Sequence, residues 1–296
     1  MFNNTFKSTF LHLVKHTIYR ANVKTHILCP FRHFHKVFYT TFKIVFFGSG
    51  NVAHHLAKAL DQVAHVAQIF SPDLNHASEL ASQLRDAQPI NSLSHIITDA
   101  RFYIISVKDD AVKSIAQNAP EVNPDAIWAH TSGSVPADVF EGHRQNYGVF
   151  YPLQTFNRHT PVDFASVPML IEGNNPDSAQ NLTRLASMIS NRVKQADSND
   201  RKQFHLAAVF ACNFANRMWA IADDILKQKG FDITILEPLL RMTLNNALAA
   251  PPAQIQTGPA RRHDTHIIEN HLSQLPQDYA EIYRLISDNI IKAYPE

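Results

Sequence analysis

Residues 43–60 read KIVFFGSGNVAHHLAKAL, and this stretch decides the fold. Lys43–Phe47 is a short, mostly apolar run typical of a buried parallel strand. Gly48-Ser49-Gly50 follows directly, and apolar residues then recur at helical spacing from about Asn51 to Leu60. The sequence therefore predicts a strand, a glycine turn and a helix in immediate succession.

The glycine turn matches the pattern G-x-G-x-x-G/A, which binds dinucleotides when it joins a strand to a helix. Gly48 permits the tight turn, Gly50 lets the backbone approach a pyrophosphate, and Ala53 lets the helix pack closely on the strand. Amides at the helix start point at the phosphates. We predict a cofactor-binding turn; its residues are Gly48, Ser49, Gly50, Asn51 and Val52. A tight strand–helix turn that binds nothing is the alternative.

The end of the second predicted strand, Val66–Phe70, bears on which cofactor is bound. Asp73 follows the glycine turn by about 20 residues, where an acidic side chain can bond the ribose 2′-hydroxyl of NAD. Ser71 can instead bond the 2′-phosphate of NADP, although no Arg or Lys stands beside it. We predict both residues in the cofactor site and leave the cofactor as NAD(P).

Further strands alternate with helices and predict a doubly wound parallel sheet of the α/β Rossmann class. The predicted strands are Phe102–Val107, Ala126–Ala129, Tyr147–Tyr151 and Val167–Ile171, with a helix near Asp177–Ile189. Ligands of such sheets bind at the carboxyl ends of the strands. We therefore place Val107 beside the cofactor, and His130, Ser132 and Gln154 in the substrate or catalytic site. Helix capping is the alternative role for Ser132.

From about Asn199 the strand pattern gives way to helical periodicity. The predicted helices are Asp200–Lys227, Ile233–Ala249, Asp264–Gln274 and Gln277–Tyr294. His205 and Asn216 lie eleven positions apart and would share a face at about 100° per residue, with Asn213 at its edge. A polar side chain on an apolar stripe needs a partner, so we expect a site role or an interhelical hydrogen bond for these residues.

The stretch Gln256-Thr257-Gly258-Pro259-Ala260-Arg261-Arg262-His263-Asp264 breaks the helical pattern. An arginine at such a junction can clamp a carboxylate or phosphate, and Arg262 is the residue we assign to that role. An ion pair between arginine and Asp264 is the alternative.

Residues 1–41 differ in composition from the rest, with six basic residues and no Asp or Glu. They are interpreted as a disordered extension or a start placed too far upstream, with an organelle targeting peptide as the alternative. The predicted organisation is thus a leader at 1–41, a Rossmann domain at 42–195 and a helical domain at 196–296.

Composition excludes several functional classes. The formal net charge of +1 gives no reason to expect a nucleic-acid partner, and no apolar run is long enough for a membrane span. The two cysteines, Cys29 and Cys212, predict no disulfide, which fits a reducing cytoplasm. No His or Cys spacing indicates a metal site.

Six motifs together resemble a family of bacterial Rossmann-like proteins with a helical C-terminal domain of unknown function. The motifs are GSGNVA, VKDD, HTSGS, YPLQTF, HLAAVFACNF and QTGPARRHD, and they span about residues 43–280. Members are described as NADP oxidoreductases and resemble pyrroline-5-carboxylate reductase, ketopantoate reductase, and 6-phosphogluconate and 3-hydroxyacid dehydrogenases. The resemblance implies a C-terminal domain of the 6-phosphogluconate dehydrogenase type, favours NADP, and implies an interdomain cleft and a homodimer formed through the helical domain.

One departure from the hydroxyacid dehydrogenases bears on the chemistry. Their second domain carries Lys-x-x-x-Asn, and aligning Asn213 with that asparagine puts Val209 at the lysine position. We therefore expect His205 to handle the proton, with His130 as the second candidate. In this hypothesis Asn213 and Ser132 orient a small substrate and Arg262 pairs with its anionic group. A non-catalytic dinucleotide sensor or assembly protein is the alternative.

Overall fold

The computed structural model describes residues 42–295, so the predicted leader lies outside the described residues. The strands are β1 Lys43–Phe47, β2 His65–Phe70, β3 Gln88–Ile90, β4 Phe102–Ile105, β5 Ile127–His130, β6 Asn146–Pro152, β7 Pro168–Gly173 and β8 Arg192–Gln195. They form one sheet in the order β3-β2-β1-β4-β5-β6-β7-β8. The first six have the strand order of the Rossmann fold, which reverses between β1 and β4. The predicted Rossmann class is confirmed.

The helices lie between the strands at first and then follow them. Their bounds are α1 Asn51–Asp61, α2 Leu74–Ala81, α3 Asp109–Asn118, α4 Pro176–Ser187, α5 Ser198–Ala208, α6 Ala215–Lys227, α7 Glu237–Ala249, α8 Thr265–Gln274 and α9 Gln277–Ala293. The last strand ends at Gln195 and α5 begins at Ser198, so the predicted helical second part is confirmed.

One pair of strands differs from a fully parallel sheet. β1 to β6 pair in parallel, but β7 runs antiparallel to β6, with Gly148 opposite Gly173. The connection between β6 and β7 contains only the short turn Phe164–Ser166. Without a crossover helix the chain returns beside β6 in the opposite direction.

Side chains of β1 alternate between two hydrophobic layers, one on each face of the sheet. Ile44 and Phe46 pack in the layer that includes Leu56 of α1 and residues of α2 and α4. Val45 and Phe47 pack in the layer that includes residues of α3. Burial on both faces explains why β1 is an apolar run rather than an alternating one.

The helix predicted over 200–227 consists of three pieces. Between α5 and α6 lies a π-helical segment, Val209–Phe214. Its i→i+5 hydrogen bonds put more residues into each turn than an α-helix does. The side chains beyond it are therefore rotated relative to a continuous α-helix.

Two further observations concern membrane spans and metal ions. Within residues 42–295, every helix is too short or too polar to cross a bilayer. In the same range, His, Cys, Asp and Glu side chains do not gather in threes as a metal ion would require. A cytoplasmic location stays a prediction.

Candidate functional site

The two glycines of the first turn have different surroundings. Gly48 has φ of 110°, and a Cβ there would lie 2.1 Å from the carbonyl oxygen of Ser106 at the end of β4. A side chain is excluded by both backbone conformation and space. Gly50 has φ of −71°, and a Cβ there would meet no atom within 4 Å. The fold requires Gly48, whereas the space in front of Gly50 is open.

The start of α1 is available to an anion. No side chain caps this helix, whose N-cap residue is Gly50. Asn51 is exposed, and Val52 is half-buried. Uncapped amides and the helix dipole together suit phosphate groups. Val107, predicted beside the cofactor, lies next to Gly48 at the point where the strand order reverses.

The two residues predicted at the end of β2 are placed differently. Ser71 is buried, and its amide donates to the carbonyl oxygen of Ile90 at 3.0 Å. Asp73 is the N-cap of α2, where its carboxylate accepts from the amide of Asn75 at 2.8 Å. One oxygen of Asp73 is therefore already used by the helix.

Arg158, which the sequence did not single out, contacts the glycine turn. Its guanidinium donates to the carbonyl oxygen of Ser49 at 2.7 Å and to both carboxylate oxygens of Glu79 at 3.1 and 3.2 Å. Neighbouring contacts hold this loop on α1: Asn51 donates to the Phe156 carbonyl oxygen at 3.2 Å, and His55 stacks on the Phe156 ring. The contact spans 109 positions, so no local signal could reveal it.

His130 is a structural residue, which corrects its expected place among the catalytic candidates. The side chain is fully buried. Its Nδ1 accepts from the Ser132 amide at 3.2 Å, and its Nε2–H donates to the Pro136 carbonyl oxygen at 3.4 Å. Burial, reinforced by the charge of Arg201, lowers the pKa of His130 to about 3. A neutral ring with both nitrogens bonded to the backbone does not deliver a proton to a cleft.

Ser132 shapes the same loop. Its Oγ accepts from the amides of Ser134 and Val135, each at 3.0 Å. The helix-capping role considered as an alternative is not what the structure has, because the next helical turn, Ala137–Phe140, begins after Pro136 and no side chain caps it. The hydroxyl hydrogen is not used by either bond and remains able to donate.

His205 is brought against this loop by α5. A Cβ on Gly133 would lie 2.6 Å from His205 Nδ1, so only a glycine backbone can pack here. The Oη of Tyr151, at the end of β6, lies 3.1 Å from the same nitrogen. Burial raises the pKa of Tyr151. The end of β6, the loop after β5 and α5 thus meet at one imidazole ring.

A buried arginine fastens α5 to the sheet. Arg201 is fully buried and forms an ion pair with Glu172 of β7. Its other nitrogens donate to the carbonyl oxygens of Ser132 and Val135 and to Ser198 Oγ. Arg201 therefore fixes His205, one turn further along α5, relative to the loop after β5. Neither Arg201 nor Tyr151 was expected from sequence, because Arg201 bonds to residues outside α5, and Tyr151 to His205, over 29 to 69 positions.

Three predicted site residues are not brought to this point within the chain. Gln154 is exposed, and its Oε1 accepts from the adjacent amide of Thr155 at 2.8 Å. Arg262 is exposed at the end of the turn Ala260–Arg262. Asn213 is exposed within the π-helical segment.

The expected common face of His205 and Asn216 needs correction. The prediction assumed a continuous α-helix, but Val209–Phe214 lies between the two residues and changes their angular separation. Asn216 is also exposed. The alternative for Arg262 is not found either: among residues 42–295, no ion pair joins Arg261 or Arg262 to Asp264, whose carboxylate accepts from the amide of Ile267 at the start of α8.

A solved structure of a candidate NADP oxidoreductase from Bacteroides fragilis is similar to most of this chain. The two are 39% identical, the match covers 85% of this chain and 98% of the other, and the TM-score is 0.82. The chain belongs to the same family. The resemblance inferred from the sequence motifs is thereby confirmed.

Other comparisons concern the C-terminal part of the chain and its fold. The family model described as "Domain of unknown function (DUF2520)" matches residues 167–290, which run from β7 into α9. A Thermotoga maritima protein is 20% identical over 85% of this chain and 98% of its own, with a TM-score of 0.60. No curated protein matches the chain.

A more distant structure has the same fold. A reductive aminase from Aspergillus terreus, solved with NADPH and ethyl levulinate, is 14% identical to this chain. The match covers 86% of this chain and 94% of the aminase, with a TM-score of 0.63. At this identity the likeness concerns architecture alone.

Proposed function

We propose that this protein is an NAD(P)-dependent oxidoreductase. It acts on a small, carboxylate-bearing substrate by reducing a C=O or C=N bond, or by the reverse reaction. The observation that carries the proposal is the turn between β1 and α1. There the fold forces glycine at position 48, and Gly50 leaves open space before an uncapped helix N terminus. This arrangement suits a pyrophosphate. The 39% identical relative, described as a candidate NADP oxidoreductase, supports the same cofactor class.

NADP is the form of the cofactor that we favour. The Bacteroides relative is described with NADP. In addition, Asp73 uses a carboxylate oxygen to cap α2, which leaves it less free to bond a ribose 2′-hydroxyl. Ser71 at the end of β2 is the residue proposed beside the ribose.

The substrate site is proposed where the loop after β5 faces α5. The cofactor supplies the hydride when it is bound, so the chain has to hold the substrate and deliver a proton. His205 is proposed as the proton donor, because an imidazole N–H can donate a proton to a substrate and this ring lies at the strand ends. Ser132 is proposed to orient the substrate through its hydroxyl hydrogen.

Three further roles stay predictions without a contact that supports them. Gln154 as a substrate ligand, Asn213 as an orienting residue and Arg262 as an anion clamp have no hydrogen bond to the His205 site in the described part of the chain. They are not needed for the proposal about the cofactor turn.

A homodimer through the helical domain is also proposed. Helix α7 packs mainly against the short helical turns beside it. Four of its apolar side chains are more than half exposed; they are Leu239, Met242, Leu244 and Leu248. A cavity of about 740 Å³ lies between α6 and α9, lined by apolar residues such as Ile221, Ile225 and Ile282. Exposed apolar side chains on α7 and an open apolar cavity elsewhere in the same helical part of the chain fit exchange between two copies.

The cofactor proposal is tested by titrating the full chain with NADPH and with NADH, followed by fluorescence. Gly50→Asp puts a carboxylate where the pyrophosphate would lie, and Gly50→Ala adds only a methyl group. Both variants should fold, because a Cβ at this position meets nothing within 4 Å. We expect the Asp variant to weaken binding at least 100-fold and the Ala variant to weaken it much less.

Each outcome of this titration has a defined meaning. Tighter binding of NADPH than NADH, abolished in the Asp variant alone, supports the proposed turn and cofactor. Absence of binding to both nucleotides would overturn the oxidoreductase proposal. Binding without any substrate-dependent change in nicotinamide absorbance, across a screen of keto acids and imines, would favour the sensor alternative.

A further inference from the structure

We propose that Tyr151 is the positioning residue that sets the tautomer of His205, so that the ring presents its Nε2–H to the substrate. This inference rests on the proposed function and adds a specific atom to it. The atom that delivers the proton is Nε2, and the group that receives it is the oxygen of a carbonyl or the nitrogen of an imine.

The first step of the argument is that the Nδ1 side of the ring is enclosed. Gly133 packs so closely that a Cβ there would lie 2.6 Å from Nδ1. The Oη of Tyr151 lies 3.1 Å from the same nitrogen. No described residue forms a hydrogen bond with Nε2. Only Nε2 is therefore left to meet a molecule in the cleft.

The second step assigns the donor of the Tyr151–His205 hydrogen bond. Burial raises the pKa of Tyr151, so its phenol stays protonated at neutral pH. The charge of Arg201 acts against this shift and that of Asp109 acts with it. His205 Nδ1 is the sole partner of the phenol among the described residues. The phenol therefore donates, Nδ1 accepts, and the hydrogen of the neutral imidazole resides on Nε2.

The third step is the proton transfer itself. As the hydride reaches the substrate carbon, the Nε2–H bond of His205 breaks and its proton forms a new bond to the substrate oxygen or nitrogen. The Oη–H bond of Tyr151 breaks at the same time and its proton bonds to Nδ1, so the ring stays neutral. The negative charge is left on the phenolate, which the charge of Arg201 stabilises until it regains a proton from water. The other tautomer would place a lone pair at Nε2, which cannot protonate the substrate. Tyr151 acts through His205 and need not touch the substrate.

Nitrogen-15 NMR of the full chain tests the assignment without a substrate or a cofactor. Long-range couplings from the ring protons of His205 distinguish a protonated nitrogen from an unprotonated one, at a pH where the ring is neutral. The wild type is expected to show Nε2 protonated and Nδ1 unprotonated. In Tyr151→Phe both nitrogen signals are expected to move toward intermediate positions, because the two tautomers then interconvert.

Tyr147→Phe is the matched control. Tyr147 lies on the same strand and packs against Phe140, away from His205. This control should leave the His205 signals unchanged. Protonation of Nδ1 in the wild type would overturn the proposal. It would also be overturned if Tyr151→Phe left the signals unchanged, or if Tyr147→Phe changed them equally. Cofactor titration is separate, so failure of the oxidoreductase proposal is distinguishable from failure of this one.

Discussion

His130 shows how burial converts a candidate catalytic residue into a structural one. Its type and position, at the end of β5, are those of a proton donor in a Rossmann enzyme. Burial and two backbone hydrogen bonds hold it neutral instead. The sequence could not separate these possibilities, because HTSGS gives the residue types but not which ring atoms are enclosed.

The low pKa of His130 predicts a specific loss of stability in acid. The folded-state value of about 3 lies below the usual value of 6.5, so the unfolded chain binds a proton that the folded chain excludes. The neutral His130 therefore makes its full contribution to the free energy of unfolding above pH 6.5. That contribution is lost as the pH falls from 6.5 toward 3, because the unfolded chain takes up the proton. Between pH 7.5 and 5.5 the loss should be about 1 kcal/mol.

Urea unfolding at the two pH values measures this loss, with His130→Asn as the comparison. Asparagine can accept from the Ser132 amide but does not titrate. The wild type should lose about 1 kcal/mol more than the variant over this interval. An equal loss in both proteins would mean that His130 is not held neutral.

Arg201, like His130, forms hydrogen bonds with the loop after β5, but the sequence gives no indication of these contacts. It stands between exposed residues at the start of α5, where a charged side chain normally faces solvent. The side chain instead reaches Glu172 and two loop carbonyl oxygens. Contacts between side chains far apart in sequence are the part of the site that required coordinates.

At the scale of elements, α5 depends on this arginine for its attachment to the sheet. Arg201→Met removes the ion pair, leaves the carbonyl oxygens of Ser132 and Val135 without this donor, and leaves Glu172 with only the hydroxyl of Ser198. We expect a loss of about 3 kcal/mol in the free energy of unfolding. Denaturant unfolding measures it, and Lys202→Met, an exposed neighbour on the same helix, should change stability by less than about 0.5 kcal/mol. Similar losses in the two variants would contradict the role of Arg201.

The elements that the sequence predicts well are those with strong periodicity. β1 was predicted with its observed bounds, and α8 and α9 to within a residue at each end. The two strands that were missed, β3 and β8, are the edges of the sheet. Gln88–Ile90 has three residues and Arg192–Gln195 is largely exposed, so neither carries an apolar run. Pairing with a neighbour, rather than local propensity, makes them strands.

For the whole molecule, the exposed apolar side chains of α7, which lie on both sides of the helix rather than on one face, predict a dimer. Size-exclusion chromatography with light scattering should give a mass near twice the chain mass of 33.4 kDa. Leu239→Asp combined with Leu248→Asp should yield monomers, because two leucines lose burial worth about 3 kcal/mol in each copy. Leu74→Asp, an exposed leucine on α2, should leave the dimer intact. A wild-type monomer would rule out this assembly.

The π-helical segment has a consequence for the position of α6 relative to α5. Removing one residue from Val209–Phe214 would let α5 and α6 join as a single α-helix. Helix α6 would then keep nearly its present direction, because a π turn holds about one residue more than an α turn. The same deletion within α6 would instead turn all later side chains by about 100° about the helix axis and shift them by about 1.5 Å. The short segment thus absorbs one extra residue between α6 and α5, which is fastened to the sheet through Arg201.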